Sequence, residues 1–168
     1  MARLFSAFVP PSAVVDHLAG LLDGLDAPVR WTPPERWHVT VGFFGDDDDP
    51  DRRSKWLRRR VAGRATPALR LAGGGSYRGV LWVGVEADDE LLLARLAQAG
   101  GAGRRGYRPH LTVARWRSGG VDISPLIGLF DAYTGPWFTP AELLLMRSEL
   151  GPGGPTYTPV DSVPLARA

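Results

Sequence analysis

The chain contains no cysteine, a single lysine and no long apolar run, and each absence excludes a class of protein. Without cysteine there are no disulfides, no thiolate nucleophile and no cysteine-ligated zinc. No stretch approaches the roughly 18 apolar residues that a spanning helix needs, and the segment after Met1 lacks the charged start, apolar stretch and cleavage site of a secretory leader. The chain is therefore expected in the cytoplasm, with no membrane partner. Lys55 is the one lysine among 20 basic residues, set against 18 acidic ones for a net charge of +2. The other basic residues are arginines, the side chain best suited to bidentate phosphate contact, so a phosphate-bearing partner is easily accommodated. Histidine is also scarce, at three residues.

Two of those three histidines fall in one repeated pattern, His38-Val39-Thr40-Val41 and His110-Leu111-Thr112-Val113. In an extended strand alternate side chains share a face, so each copy presents an imidazole and a hydroxyl together, with apolar residues behind them. Both copies lie in strand-like runs, 37–44 and 110–116, and prolines precede each: Pro33-Pro34 and Pro109. Set side by side, the two strands offer two imidazoles for proton transfer and two hydroxyls to hold an oxyanion.

The chain's 168 residues, 44% apolar and 23% charged, suit a single compact domain over 1–168 with a real core. A strand over 3–9 leads through Pro10-Pro11 into a helix striped by Val14, Leu18, Leu21, Leu22 and Leu25. After the first motif, Asp46 to Asp49 and Pro50 open a second helix reaching about Arg64. Leu69–Leu71 and Val80–Glu86 read as paired strands around a glycine-rich turn, and Asp88-Asp89 cap a helix to about Ala99. Gly100 to Gly106 is a flexible connection before the second motif. A short helix over 124–133 and a final hairpin, 141–150 with 156–165, complete the chain. Strand, helix, motif strand, helix recurs in both halves. The expected fold is thus α+β, two pseudo-symmetric lobes, each an antiparallel sheet with flanking helices, around a central cleft.

Other features carry less. His17 sits beside the first helix's leucine stripe and lacks a threonine partner, so it is assigned a structural role. Asp46 to Asp49 read as a solvated loop that caps the next helix rather than a metal site. Glycines 73–75 lack the lysine and hydroxyl of a nucleotide-triphosphate loop, so no ATP site is assigned. No metal and no cofactor are expected.

The sequence resembles the two-histidine phosphoesterases, and within them the RNA 2′,3′-cyclic phosphodiesterases, also called 2′-5′ RNA ligases. The resemblance covers nearly the whole chain: residues 3–7, the run from Trp37 to Gly45, the run from Tyr107 to Arg115, and 145–151. One departure is that Gly100 to Gly106 replaces part of a longer helical insertion. The resemblance implies a monomer acting on RNA or oligonucleotide ends that carry a 2′,3′-cyclic phosphate. It also implies an order of roles that physics alone leaves open: His38 as general acid protonating the leaving O3′ and His110 as general base activating water, giving a 2′-phosphomonoester. Thr40 and Thr112 would then donate to phosphoryl oxygens, and run in reverse the same groups would join a 5′-hydroxyl to the cyclic phosphate. Arg108 and Arg115 flank the second motif and are candidates for binding phosphate charge. Phe44, Trp37 and Tyr107 are candidates for stacking a base, weighed against burial in the core. Two alternatives stand beside the hydrolase: an RNA-end binding module without turnover, and a phosphodiesterase for a different cyclic or 2′-5′ linked nucleotide.

Overall fold

The computed structural model describes residues 2–117 and 119–168. The first lobe begins with β1 (Ala2–Phe8), which Pro10-Pro11 ends by removing backbone donors, and α1 (Ser12–Leu22) follows with Val14 and Leu18 buried. A two-residue strand, β2 (Arg30–Trp31), and a short 3₁₀ turn over Pro34–Arg36 lead into β3 (Val39–Asp46). The chain returns through α2 (Pro50–Val61), capped by the Asp49 carboxylate, which accepts from the amides of Asp51 and Arg52 at 2.9 and 3.3 Å. Of the neighbouring acids, Asp46 pairs with Arg3 and Asp48 with Arg52 and Arg53, so the run braces the loop and the helix start.

The second lobe holds β4 (Ala65–Thr66), β5 (Leu69–Tyr77), β6 (Val80–Ala87), α3 (Glu90–Ala99), β7 (His110–Arg115) and α4 (Ser124–Asp131). A long hairpin, β8 (Glu142–Gly151) with β9 (Gly154–Pro164), then returns to the first lobe, and β10 (Ala166–Arg167) pairs with β4. The glycine-rich segment read as a turn is strand instead: β5 continues through Gly73, Gly74 and Gly75 with a register break between Leu71 and Gly74, where Gly73 takes a positive φ, and the reversal falls at Arg78-Gly79. The reason is room, since a Cβ on Gly75 would lie 2.4 Å from the Trp82 ring, which crosses the strand there. Among the described residues no helix is long and apolar enough to cross a membrane.

The main sheet is antiparallel in the order β5-β6-β7-β3-β1-β8-β9, with β2 on β7. Its centre is thin. β3 meets β7 at one pair, Val39 opposite Leu111, whereas β1 to β3, β1 to β8 and β6 to β7 pair over several residues. Helices cover one face of the sheet, where Leu4, Phe8, Leu57, Leu81, Leu96, Leu111 and Leu143 form a continuous core. The other face is the cleft, floored beneath the first lobe by a small cluster of Phe5, Ala7 and Met146.

A buried hydroxyl ties motif strand to helix end. Ser6 Oγ donates to the carbonyl of Gly100 at 2.6 Å and accepts from the amide of Gly42 at 2.9 Å. Replacing Ser6 with alanine would leave a buried donor and acceptor unpaired, each worth roughly 1–3 kcal/mol, so denaturant unfolding of Ser6→Ala should show about 2–4 kcal/mol less stability.

Candidate active site

Both motif strands depart from strict alternation in the same way. Along β3, Ala7 pairs with Thr40 and Ser6 with Gly42, so Val41 is an extra residue. Along β7, Trp82 pairs with Thr112 and Leu81 with Ala114, so Val113 is an extra residue. Each bulge falls directly after the threonine and shifts the following residues by one face. Val113 and Ala114 are consequently buried in succession, and Arg115 is returned to the cleft side. Gly42 occupies the position matching Ala114 and must be glycine, because a Cβ there would lie 2.7 Å from the Gly100 carbonyl oxygen.

The histidines are held identically. His38 Nδ1 bonds the carbonyl of Arg36 at 2.8 Å, and His110 Nδ1 the carbonyl of Arg108 at 2.9 Å, in each case two residues upstream. A carbonyl only accepts, so Nδ1 carries a proton on both rings and Nε2 is left to face the cleft, as acceptor when neutral and donor when charged. The antiparallel pair of Val39 with Leu111 sets the two imidazoles on a cross-strand diagonal, a relation with a typical spacing of about 7–8 Å. Each ring leans on an aromatic of a neighbouring strand: His38 on Phe5 and Tyr157 at 5.0 and 4.9 Å, His110 on Trp82 at 5.8 Å. The two environments differ in solvent: His110 is exposed and His38 half-buried. Burial is the main cause holding His38 below the ordinary imidazole range; the positive charges of His110 and Arg115 add to it, against the opposing Arg36 hydrogen bond.

These groups open on one cleft of about 860 Å³. Its walls carry His38, Thr40, His110, Thr112 and Arg115 together with Arg3, Arg30 and Arg36, and no carboxylate lines it among the described residues. Trp31, Tyr157 and the tip of the β8–β9 hairpin, Leu150 to Pro155, supply the apolar side. Arg36 braces that tip, donating from Nη2 to the Gly153 carbonyl at 3.1 Å. No set of three or more His, Asp or Glu among the described residues is placed to hold a metal ion.

Four residues nominated from sequence lie elsewhere. Arg108 is exposed and off the cleft wall, and it serves through its backbone carbonyl rather than its guanidinium. Trp37 is buried in the core with its indole N–H on the Thr32 carbonyl at 3.0 Å. Tyr107 donates its hydroxyl to the Thr40 carbonyl at 2.7 Å, bracing the first motif from behind, and burial pushes its phenol up so that it stays a donor. Phe44 packs on Trp56, at 5.6 Å between centroids, with the Arg53 guanidinium 4.3 Å from its ring centre. A second register slip in β3 turns Phe44 inward and leaves Phe43 61% exposed opposite Phe5. Reading the sequence missed Arg3, Arg30, Arg36, Trp31 and Tyr157. Arg30 and Trp31 stand shortly before the first motif, and that nearness was the one available signal. His17 lies outside the cleft, its Nδ1 2.8 Å from the Tyr133 hydroxyl.

The hydrogen bonds to Arg36 and Arg108 carry a spectroscopic consequence. Nitrogen-15 NMR of the unliganded protein should find His38 and His110 in the Nδ1–H tautomer when neutral, and His38 should titrate below the ordinary imidazole range. An Nε2–H tautomer at either ring would contradict the geometry.

The comparisons with known proteins agree with this architecture. The family model of LigT like phosphoesterases matches residues 9–83. A curated relative, the RNA 2′,3′-cyclic phosphodiesterase of Methanothermobacter thermautotrophicus, is 30% identical over 177 residues, covering 95% of this chain and 96% of its own. Among solved structures, TT0787 of Thermus thermophilus superimposes with a TM-score of 0.74 at 23% identity, and E. coli LigT in apo form with 0.77 at 20%, each over 98% of both chains. With two matched histidine–threonine strands on one cleft and a relative that covers 95% of its length, this chain belongs to the LigT-like family of RNA 2′,3′-cyclic phosphodiesterases.

Proposed function

We propose that the protein hydrolyses 2′,3′-cyclic phosphodiester ends of RNA to 2′-phosphomonoesters by general acid and base catalysis, as a single chain in the cytoplasm. The observation that carries this reading is the pair of imidazoles, each fixed through Nδ1 with Nε2 left to the cleft, on one wall that holds no carboxylate among the described residues. The activity named for the relative that matches 95% of this chain, an RNA 2′,3′-cyclic phosphodiesterase, supports the substrate class.

In the forward direction His110 Nε2 takes a proton from water as its oxygen bonds to phosphorus. The P–O3′ bond breaks, and His38 Nε2–H delivers its proton to O3′, leaving a free 3′-hydroxyl and a 2′-phosphate. Thr40 and Thr112 donate to the nonbridging oxygens, each such bond to a charged acceptor being worth roughly 1.5–3 kcal/mol. Their hydroxyls sit on strands rather than loops, so little reorganisation is needed as charge builds. Attack by a ribose 5′-hydroxyl in place of water gives a 2′-5′ linkage by the same proton transfers.

The acid role asks His38 to be protonated when substrate is bound, although burial and the cationic neighbours oppose that in the free protein. The substrate's own negative charge supplies the offset. Because an anion beside an imidazolium raises its pKa, the alkaline limb of kcat, which reports the complex, should lie at higher pH than that of kcat/KM, which reports the free enzyme. Coincident limbs would remove His38 from the acid role.

Assay of a cyclic-ended oligonucleotide in EDTA should yield the 2′-phosphate, and His38→Ala or His110→Ala should each lower kcat by about 10²–10⁴, the share of one general acid or base. Turnover unaffected by either change, or saturable binding with no product, would overturn the proposal.

A further inference from the structure

Arg36 touches the first motif in two ways. Its carbonyl accepts from His38 Nδ1 at 2.8 Å, and its guanidinium holds the β8–β9 tip, Nη2 donating to the Gly153 carbonyl at 3.1 Å. Arg108 repeats only the first of these for His110, with its guanidinium off the cleft wall. The two rings differ accordingly: His38 is half-buried and His110 exposed.

Among the described residues, the Arg36 bond is the one side-chain hydrogen bond that joins the tip, 150–155, to the rest of the chain. The glycines make room for it. Gly154 has a φ of +105°, and a Cβ there would lie 2.7 Å from Arg36 Nη1, so the guanidinium rests against bare backbone. Two residues beyond Pro155, the Tyr157 ring meets the His38 ring edge-on at 4.9 Å. The charged and titratable groups that share the cleft with His38 are Arg3 from β1, Arg30 from β2, Arg36 itself, His110 and Arg115 from β7, and Tyr157 from β9. Residues 150–155 contain none. A seated tip therefore acts on His38 by excluding water, which disfavours the charged imidazolium.

We propose that Arg36 is a positioning residue that latches the β8–β9 tip against the first motif, so that the tip shields the His38 side of the cleft while the His110 side stays open. One residue thereby sets both the direction of the His38 ring and its solvation. The catalytic consequence rests on the hydrolase reading with His38 as acid; the latch itself does not. Releasing the tip wets His38 and makes its cation easier to form, which yields a weaker proton donor toward O3′.

NMR titration of the imidazoles in the unliganded protein reads the latch without turnover. Arg36→Ala should raise the His38 midpoint by about half a pH unit or more, and move His110 less. Arg36→Ala also removes a cation from the cleft, which acts in the same direction, so the deciding variant is Gly154→Ala, which keeps every charge and displaces the guanidinium. It should raise the His38 midpoint as well. An unchanged midpoint in either variant would overturn the latch, a rise in Arg36→Ala alone being the loss of a charge. A second measurement does not depend on Gly154→Ala folding. At about 1 M salt the screening length falls to about 3 Å, so a difference between Arg36→Ala and the natural protein that persists there is lost cover, and one that vanishes is lost charge and overturns the latch. In assays with a cyclic-ended oligonucleotide, the alkaline limb of kcat/KM should follow the His38 midpoint upward in both variants. A limb that stays while the midpoint moves removes His38 from the acid role and leaves the latch supported.

Discussion

One residue pair holds the two lobes in register at their centre: Val39 opposite Leu111, each the residue that follows a motif histidine. Every other junction along the main sheet path pairs over several residues, and this one is short because β3 and β7 diverge on either side of it. The divergence is what makes a cleft, and the pair at its apex is what brings two histidines 72 positions apart in sequence, 38 to 110, onto one small volume. The pseudo-symmetry follows from the same arrangement. Identical local constraints act on each strand: a carbonyl two residues upstream orients the ring, a threonine shares its face, and a bulge ends the alternation.

Symmetry of position does not bring symmetry of environment. His38 lies over Phe5 and Tyr157, beside the small apolar cluster that includes Met146, while His110 lies open to solvent beside Trp82. His38 is thereby held below the ordinary imidazole range, so its protonation in the free protein is disfavoured. The cleft's charge works in the same direction. A wall with four arginines and, among the described residues, no carboxylate disfavours an imidazolium until an anion arrives, so anion binding and protonation of His38 reinforce each other.

Much of this was legible in the residues. The repeated histidine–threonine pattern located both cleft strands, and proline, aspartate and leucine spacing located the helices close to their observed limits. Errors arose where a third element decides the outcome. Glycines 73–75 signal a turn when read alone, yet they form strand because Trp82 needs the space over them. Phe44, Trp37 and Tyr107 border the motifs in sequence and were natural stacking candidates; register slips and burial point all three away from the cleft. Arg108 flanks the second motif as closely as Arg115 does, yet of the two only Arg115, returned by the bulge, lines the cleft.

The sequence by itself determined the chemistry available: two imidazoles and two hydroxyls at strand spacing, no thiol, and arginine as almost the sole cation. These are properties of residue type and of a two-residue period, which local backbone geometry expresses without help from elsewhere. The tertiary structure alone decided which side chains meet. Cross-strand register, the bulges at Val41 and Val113, and the burial that lowers the proton affinity of His38 depend on contacts between distant segments, where packing over the core selects one pairing from many that local preference allows equally well.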